Sequence, residues 1–288
     1  MHLPLFDKAR RAAYALGYVW LRQRSGVAQD AVVFIVGAPR SGTTLLQDRV
    51  SRHPGLFSVK AETGFFARDN VWIRARHWTG LRGEAMQRVR GGDLVAQFSS
   101  FIAAARDLAD AGDRIFVEKT PQHILYLDFL LASFPNARVL HIFRDPRACY
   151  ASSKSHPNIP QKTPASYARY WTRCLESRLA LRDPRIMDIS YADLVRQPDN
   201  VLNDAMRFLD LDFDPAQVAA AAGQDDRRAS HAVFARLAQP INADSLETWR
   251  QTLSPAEIAT VEQYAGPYVA ASQSGAAFAA LLRTGTGR

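Results

Sequence analysis

A glycine-bounded loop rich in hydroxyl side chains follows the first apolar run of the chain. The run Ala31–Val36 leads directly into Gly37, and a second glycine, Gly42, comes five residues later. Glycines at this spacing let backbone N–H groups converge on an anion, and a following helix adds unpaired donors and the positive end of its dipole. One cation and three hydroxyl groups lie in or directly after the loop, on Arg40, Ser41, Thr43 and Thr44. This arrangement is typical of a phosphate-binding loop.

The residue after the second glycine separates this loop from that of nucleoside triphosphatases. Those enzymes place a lysine there to hold the β- and γ-phosphates, whereas this chain has Thr43. Arg40 is then the expected cation of the loop. A kinase would also need an acidic residue for Mg²⁺, and Asp145, which follows an apolar run, is the candidate for that role. A phosphotransferase that uses ATP and Mg²⁺ therefore stays open as an alternative, but with a loop poorly suited to a triphosphate.

The run Pro-Arg-Ser-Gly-Thr-Thr from Pro39 to Thr44 resembles the 5′-phosphosulfate loop of the sulfotransferases that use 3′-phosphoadenosine 5′-phosphosulfate (PAPS). The resemblance covers roughly residues 31 to 255. It implies an α/β fold, a three-layer P-loop-type parallel sheet flanked by helices, with a helical C-terminal part. It also implies that Pro39, Arg40, Ser41, Gly42, Thr43 and Thr44 bind PAPS, that 3′-phosphoadenosine 5′-phosphate (PAP) is released, and that no metal is required.

The resemblance predicts a second anion motif, an arginine at a strand end followed eight residues later by a serine. Val139–Phe143 is an apolar run of strand type, and Arg144 and Ser152 follow it at that separation. The position also makes sense physically, because ligands of open parallel sheets bind at the carboxyl ends of the strands. Pro146 begins a helix that would turn Ser152 back toward the same anion. We expect Arg144 and Ser152 to hold the 3′-phosphate.

The segment around Glu62 resembles carbohydrate and tyrosylprotein sulfotransferases, in which a glutamate after the second strand is the catalytic base. Glu62 is followed by Phe65 and Phe66, which we expect to exclude water from it. The resemblance also places Lys119 opposite the transferring sulfuryl group, as a catalytic residue beside Arg40. Aryl and steroid sulfotransferases instead use a histidine two residues after this lysine, where this chain has Pro121. His123 therefore remains the reserve base or a substrate contact.

Further along the chain the resemblance is weaker. Tyr191 matches a tyrosine turn near the adenosine end of the cofactor. Relatives often have Lys-Pro in a closing loop where this chain has Gln239, and Arg236 is the nearest substitute cation. Trp249 is expected to pack in the core rather than to stack on a ligand.

The acceptor is the least determined partner. The segment from Phe65 to Gly92 combines aromatic residues with arginines, among them Arg74, Arg82 and Arg90. Aromatic rings stack on sugars or aryl groups, and arginines hold carboxylates or sulfates. We expect a hydroxyl-bearing acceptor, anionic in part, of the glycan, glycolipid or other metabolite class. A tyrosyl peptide or a phenol stays open, and so does a helix with a solvated arginine face.

Alternation of apolar runs with helical patterns organises these motifs into one domain with a parallel sheet. The strand candidates are Ala31–Val36, Leu56–Val59, Arg114–Val117, Ala137–Phe143 and Ile186–Ile189. The helix candidates are Thr44–Ser51, Gly83–Asp110, Gln122–Phe134, Pro146–Ser153, Ser166–Arg182, Pro198–Leu209 and Pro255–Tyr264, the last ended by Gly266-Pro267. We expect a helical extension over residues 1–30, the catalytic domain over 31–271 and a mobile tail over 272–288.

Composition and charge bound the remaining choices. With 288 residues, 47% hydrophobic and 22% charged, the chain is neither disordered nor fibrous. The net charge is +8, and all but five of the 36 basic residues are arginine, which favours an anionic partner. A basic nucleic-acid-binding protein is the second alternative, although we expect no nucleic acid. Residues 5–24 form a basic amphipathic stretch that packs on the domain or touches a membrane surface, and a homodimer is left open. Cys149 and Cys174 match no metal or disulfide pattern, and we expect a cytoplasmic protein.

Overall fold

The computed structural model describes residues 25–67, 80–154, 156, 159–219, 241 and 243–284. The expectations for residues 5–24, for Arg74 and for Arg236 and Gln239 lie outside the described residues. Among the described residues, no helix has both the length and the hydropathy of a membrane span.

Five parallel strands form one sheet in the described part of the chain. They are β1 (Val32–Val36), β2 (Leu56–Phe57), β3 (Ile115–Lys119), β4 (Arg138–Phe143) and β5 (Ile186–Ser190), in the order β2-β3-β1-β4-β5. The expected parallel sheet is confirmed, and the strand bounds differ from the expected ones by up to two residues. In register, Ile35 of β1 lies beside Lys119 of β3 and Leu140 of β4. The sequences that follow these three strands therefore meet at one edge of the sheet.

Helices cover both faces of the sheet. Their bounds are α1 (Thr43–Val50), α2 (Gly80–Gln87), α3 (Leu94–Leu108), α4 (Leu127–Ser133), α5 (Pro146–Lys154), α6 (Pro164–Leu179), α7 (Tyr191–Arg196), α8 (Pro198–Phe208), α9 (Trp249–Thr252), α10 (Pro255–Val269) and α11 (Gly275–Thr284). One hydrophobic cluster packs α3, α4, α6 and α10 on one face, and a second packs α1, α7 and α8 on the other. The three-layer α/β architecture expected from the resemblance is confirmed.

The expected single helix Gly83–Asp110 is wrong. Two helices, α2 and α3, occupy that range, and Gly92 between them has a φ of 126°. Asp93 then caps α3, because its side chain accepts from the N–H groups of Val95 and Ala96. A periodic hydrophobic pattern continues across the break, which is why periodicity alone joins the two helices. Gln122–Phe134 likewise divides into a 3₁₀ turn over Pro121–Tyr126 and α4.

The C-terminal region contains more helix than its sequence predicts. Helix α10 begins with the expected capping box on Ser254 but passes through Gly266 to Val269. Val261 and Ala265 are buried against the core, and this packing outweighs the local preference of glycine and proline. Part of the expected mobile tail is helix α11, whose Phe278 is buried and lies 4.2 Å, centroid to centroid, from Phe143.

Two interpretations of single residues agree with the fold. Trp249 is 2% exposed and packs in the core, as expected. Cys149 and Cys174 are both buried free thiols. Burial raises the pKa of each to about 12, so neither thiol is a reactive nucleophile near neutral pH.

Candidate active site

The loop between β1 and α1 requires glycine at both of its predicted positions. A Cβ at Gly37 would lie 2.3 Å from the Ile142 carbonyl oxygen, and a Cβ at Gly42 would lie 2.4 Å from Tyr191 Cδ2. Gly42 has a φ of 106°, which glycine adopts without strain. Between them Arg40 has a φ of 73°, a left-handed conformation that is uncommon for a residue with a side chain. The loop therefore follows the strand in a tight, specific turn.

Some polar groups of the loop have no partner among the described residues. No side chain caps the N-terminus of α1, and its first turn carries no acidic residue. The free N–H groups of this turn are the donors that commonly bind anions at helix starts. Ser41 Oγ is fully buried, and no hydrogen-bond partner for it occurs among the described residues. The geometry suits an anion seated on the loop.

Residues from distant helices fix the loop in place. The Tyr167 hydroxyl on α6 donates to the Pro39 carbonyl oxygen. The N–H of Gly37 donates to the Pro121 carbonyl oxygen at 3.3 Å, which joins the loop to the end of β3. Arg144 Nη1 lies 3.5 Å from the Arg40 carbonyl oxygen. The loop is thus held from both neighbouring strands.

The two predicted anion motifs are in direct contact. Arg40 Nε donates to Ser152 Oγ at 3.1 Å, although 112 residues separate them. Burial lowers the pKa of the Arg40 guanidinium, and the positive charge of Arg144 lowers it further. Arg144 is itself 9% exposed, and its Nε is buried with no partner among the described residues. Two arginines this close together favour a bound anion, because neither forms an ion pair with a carboxylate among the described residues.

The ring of Tyr191 packs against the guanidinium of Arg144. Its ring centroid is 4.2 Å from the Arg144 guanidinium carbon, a cation–π contact. The Tyr191 hydroxyl and Ser245 Oγ are 2.6 Å apart, and Arg144 Nη2 donates to the Ser245 carbonyl oxygen at 2.6 Å. Tyr191 and Ser245 therefore orient Arg144. Contact between Tyr191 and an adenosine remains a prediction.

Glu62 and Lys119 form an ion pair at the mouth of the loop. Lys119 Nζ lies 3.0 Å from Glu62 Oε1 and 3.4 Å from Thr44 Oγ1. The Lys119 side chain is 6% exposed, whereas that of Glu62 is 43% exposed. The Glu62 carboxylate thus faces solvent, beside the Lys119 ammonium group that also contacts Thr44 after the glycine loop. This places a proton acceptor and a buried cation side by side.

The expected water-excluding role of Phe65 and Phe66 is wrong. Both rings are fully buried, and they pack against Phe98 with centroid distances of 5.1 and 4.9 Å. They belong to the hydrophobic core rather than to a cover over Glu62. Their aromatic character reflects the core beneath the loop.

His123 does not face the site. Its side chain is fully buried, Nδ1 lies 2.9 Å from Glu118 Oε2, and Nε2 accepts from the Phe66 N–H at 3.1 Å. Both ring nitrogens are therefore engaged, and neither is open to an acceptor hydroxyl. The geometry favours Glu62 over His123 as the base, and the reserve role given to His123 is not supported.

Asp145 is committed to a structural partner. Arg147 Nη2 contacts its Oδ2 at 2.6 Å, and Gln273 Nε2 contacts the same oxygen at 2.8 Å. Burial alone would raise the pKa of Asp145, but the hydrogen bonds and charge of Arg147 lower it below its ordinary value. The carboxylate is therefore already compensated, and it differs from a carboxylate held open for Mg²⁺.

Three residues of the site region have contacts that the sequence motifs do not indicate. Arg82 of α2 donates through Nη1 to the Glu62 carbonyl oxygen at 2.5 Å, and Ser245 holds Arg144. Glu118 follows three apolar residues in β3, and it is 1% exposed. A carboxylate within a buried strand is a sequence signal in itself, because charged residues are rarely buried without a partner.

A family model and several curated proteins match this chain. The model of the Sulfotransferase family matches residues 32–215. Nodulation protein NoeE of Sinorhizobium fredii is 27% identical over 82% of this chain and 64% of its own length. Protein-tyrosine sulfotransferase of Drosophila melanogaster is 28% identical over 64% of this chain and 39% of its own length. The chain thus spans less than two thirds of these curated relatives.

Solved structures resemble the fold. The sulfotransferase domain of the Synechococcus PCC 7002 olefin synthase has a TM-score of 0.60 at 22% identity, over 84% of this chain and 96% of that domain. The sulfotransferase domain of the curacin biosynthetic pathway has a TM-score of 0.54 at 19% identity, over 83% of this chain and 98% of that domain. The family match covers more than half of the chain and includes the glycine loop, the Glu62–Lys119 pair and the Arg144 motif, and the chain belongs to the Sulfotransferase family.

Proposed function

We propose that this chain transfers a sulfuryl group from PAPS to a hydroxyl group of an acceptor and releases PAP. The observation that carries the proposal is the Glu62–Lys119 pair, 3.0 Å apart, with Lys119 Nζ also 3.4 Å from Thr44 of the glycine loop. A proton acceptor, a buried cation and an anion-binding loop thereby share one edge of the sheet. Acyl or phosphoryl donors would not account for the family match over residues 32–215.

The residues that would hold PAPS divide into two groups. Arg40, Ser41 and the uncapped start of α1 would bind the 5′-phosphosulfate. Arg144 and Ser152 would bind the 3′-phosphate, with Tyr191 beneath Arg144. Support for the fit comes from two buried atoms without described partners, Ser41 Oγ and Arg144 Nε, each of which an anion would satisfy.

Each charged residue then has a role in the transfer. Glu62 accepts the proton of the acceptor hydroxyl while that oxygen bonds to sulfur. Lys119 and Arg40 stabilise the negative charge that develops on the bridging oxygen as the old sulfur–oxygen bond breaks. The sulfuryl group carries a single negative charge, so fixed cations suffice, and we propose that no metal takes part. PAPS, when bound, supplies the sulfuryl group and the leaving phosphate.

We propose a glycan, glycolipid or other metabolite hydroxyl as the acceptor. The position of Arg82 supports an anionic acceptor, because its guanidinium donates to the Glu62 carbonyl oxygen and so places a positive charge beside the proposed base. A protein tyrosine is the second candidate, since several relatives are protein-tyrosine sulfotransferases. Both acceptors present a hydroxyl to the same carboxylate.

Two measurements test the proposal together. Thermal unfolding in the presence of PAP, of ATP with Mg²⁺ and of a DNA duplex compares the three classes of ligand. We expect PAP to raise the Tm most, and stabilisation by ATP with Mg²⁺ but not by PAP would contradict the proposal. Transfer of radiolabelled sulfate from PAPS is then screened on an oligosaccharide, a glycolipid, an acidic tyrosyl peptide and 4-methylumbelliferone. Binding of PAP with no transfer to any acceptor class would contradict the enzymatic role.

A further inference from the structure

A buried carboxylate lies directly beside the proposed catalytic lysine but takes no part in the transfer. Glu118 precedes Lys119 in β3 and its side chain is fully buried. Successive side chains of a strand point to opposite faces, so Lys119 reaches the glycine loop while Glu118 points to the other side. There its described partners are hydroxyl groups, a backbone N–H and an imidazole. A buried carboxylate with such partners is expensive to desolvate, which makes its function worth identifying.

The hydrogen bonds of Glu118 lead to the segment that carries Glu62. Thr63 Oγ1 donates to Glu118 Oε1 at 2.7 Å, and the Thr63 N–H lies 3.4 Å from the same oxygen. Thr120 Oγ1 also donates to Glu118 Oε1 at 2.7 Å and accepts from the Gly64 N–H at 2.9 Å. The residue directly after Glu62 is therefore fixed to the residue directly before Lys119.

His123 links the other carboxylate oxygen of Glu118 to the same loop segment. Because the Phe66 N–H can only donate, Nε2 of His123 must be the accepting, unprotonated nitrogen. The ring proton is then on Nδ1, which donates to Glu118 Oε2 at 2.9 Å. One neutral tautomer thus joins β3 to the backbone of Phe66. The loop segment 63–66 is held at both of its ends by Glu118 and its partners.

We propose that Glu118 and His123 are positioning residues that set the distance between Glu62 and Lys119. The end of β3 holds the segment around Glu62 at two points. Glu118 holds the backbone after Glu62, and Lys119 holds the Glu62 carboxylate. The inference rests on the proposed function, in which Glu62 is the base. It adds a role for two residues that touch neither PAPS nor the acceptor and that act only through the placement of Glu62.

The test is a double-mutant cycle between His123→Phe and Glu62→Gln. Phenylalanine keeps the ring volume and removes both hydrogen bonds. We expect H123F to lower kcat by about 10–100-fold with the KM for PAPS changed less than about threefold, because the loop and not the cofactor site is displaced. In the E62Q background the same substitution should cost less than about threefold. The assay follows radiolabelled sulfate transfer to the probe acceptor that is sulfated fastest in the screen.

A matched control and a partial rescue separate positioning from stability. His141→Phe removes a second fully buried histidine, which contacts Asp188 and no residue of the loop, and we expect kcat unchanged. His123→Gln, whose amide can still accept from the Phe66 N–H, should recover part of kcat. Hydrogen exchange of the peptide that covers residues 60–67, with PAP bound, should be faster in H123F and unchanged in H141F.

The outcomes distinguish this inference from the function on which it rests. If E62Q keeps near-normal turnover, Glu62 is not the base and both fall. If E62Q loses turnover while folded H123F keeps it, or if H123F costs the same in both backgrounds, the positioning role alone is overturned. Should H123F fail to fold, Thr63→Val replaces it, because this change removes the hydroxyl donor to Glu118 with little change of shape. The double-mutant cycle of T63V with E62Q then tests the positioning role, and an equal cost in both backgrounds would overturn it.

Discussion

Two buried histidine–carboxylate pairs lie on the same side of the sheet and differ in what they connect. His141 of β4 and Asp188 of β5 are 2.7 Å apart across neighbouring strands. Arg178 of α6 adds two bonds to Asp188, of 2.8 and 2.7 Å, and supplies a full positive charge. Glu118 and His123 are separated by five residues along the chain, and their remaining hydrogen bonds reach the loop that carries Glu62.

The difference shows how a buried charge can serve either the fold or the site. Asp188, His141 and Arg178 form one cluster, called the Asp188 cluster. The charge of Asp188 is balanced by Arg178, and the cluster joins β4, β5 and α6 without contacting the loop that carries Glu62. Burial alone would raise the pKa of Asp188, but the bonds of His141 and the charge of Arg178 lower it. Burial alone would also raise the pKa of Glu118, but the hydrogen bonds from His123 and from the two threonine hydroxyls lower it. Of the two clusters, only the second is hydrogen-bonded to the loop that carries Glu62.

The largest expected effect is on turnover, and it comes from replacing the carboxylate of Glu62. Glu62→Gln keeps the shape of the side chain and removes the proton acceptor, so turnover should fall by about 10²–10⁴-fold. PAP should still raise the Tm of the variant by as much as it does in the wild type, since the anion motifs are intact. Near-normal turnover, measured by radiolabelled sulfate transfer, would remove Glu62 from the mechanism and leave the Glu118 cluster without a catalytic role.

A smaller effect, on stability alone, is expected in the other cluster. Arg178→Met removes the cation of Asp188 and leaves a buried carboxylate with His141, which should lower the free energy of unfolding by about 3–5 kcal/mol. Arg138→Met is the matched control, because its partner Asp210 is 81% exposed and such pairs contribute about 1 kcal/mol or less. Urea unfolding measures both. Equal losses in the two variants would show that the Asp188 cluster is not a structural centre, and a lower kcat in folded R178M would break the contrast between the clusters.

The smallest expected effect is a change in how stability depends on pH. Burial lowers the pKa of His141 below its ordinary value of 6.5, and the Asp188 contact does not fully offset it. The unfolded chain therefore binds a proton near pH 6 that the folded chain does not, and stability falls as the pH drops from about 7 to about 5. His141→Phe should make this slope shallower by up to about 1.4 kcal/mol per pH unit. His156, whose pKa is lowered chiefly by burial, contributes a slope of the same sign in both proteins. An unchanged slope in urea unfolding at several pH values would mean that His141 titrates normally.

Local sequence predicts the turn between β1 and α1 but not the surroundings of Glu62. The loop from Gly37 to Thr44 could be predicted because its glycines are required by contacts within a few ångströms, and those requirements appear as spacing. Arg144 and Ser152 follow from the same logic of strand ends. The sequence does not show that Phe65 and Phe66 face the core, because an aromatic residue beside a polar one gives the same pattern whether it faces the core or a ligand. Hydrophobic periodicity does not predict the break at Gly92, because the period continues across it.

The sequence by itself determined the family, the parallel α/β fold and the types of residue at the active edge. These depend on short-range properties, namely hydrophobic periodicity, glycine conformation and the order of strands along the chain. Only the tertiary structure decided that His123 is buried with both nitrogens engaged, that Ser245 holds Arg144, and that Glu118 connects Lys119 to the loop of Glu62. The physical reason is that hydrogen bonds between residues 55 to 101 positions apart depend on where helices and strands pack, and no local pattern records that packing.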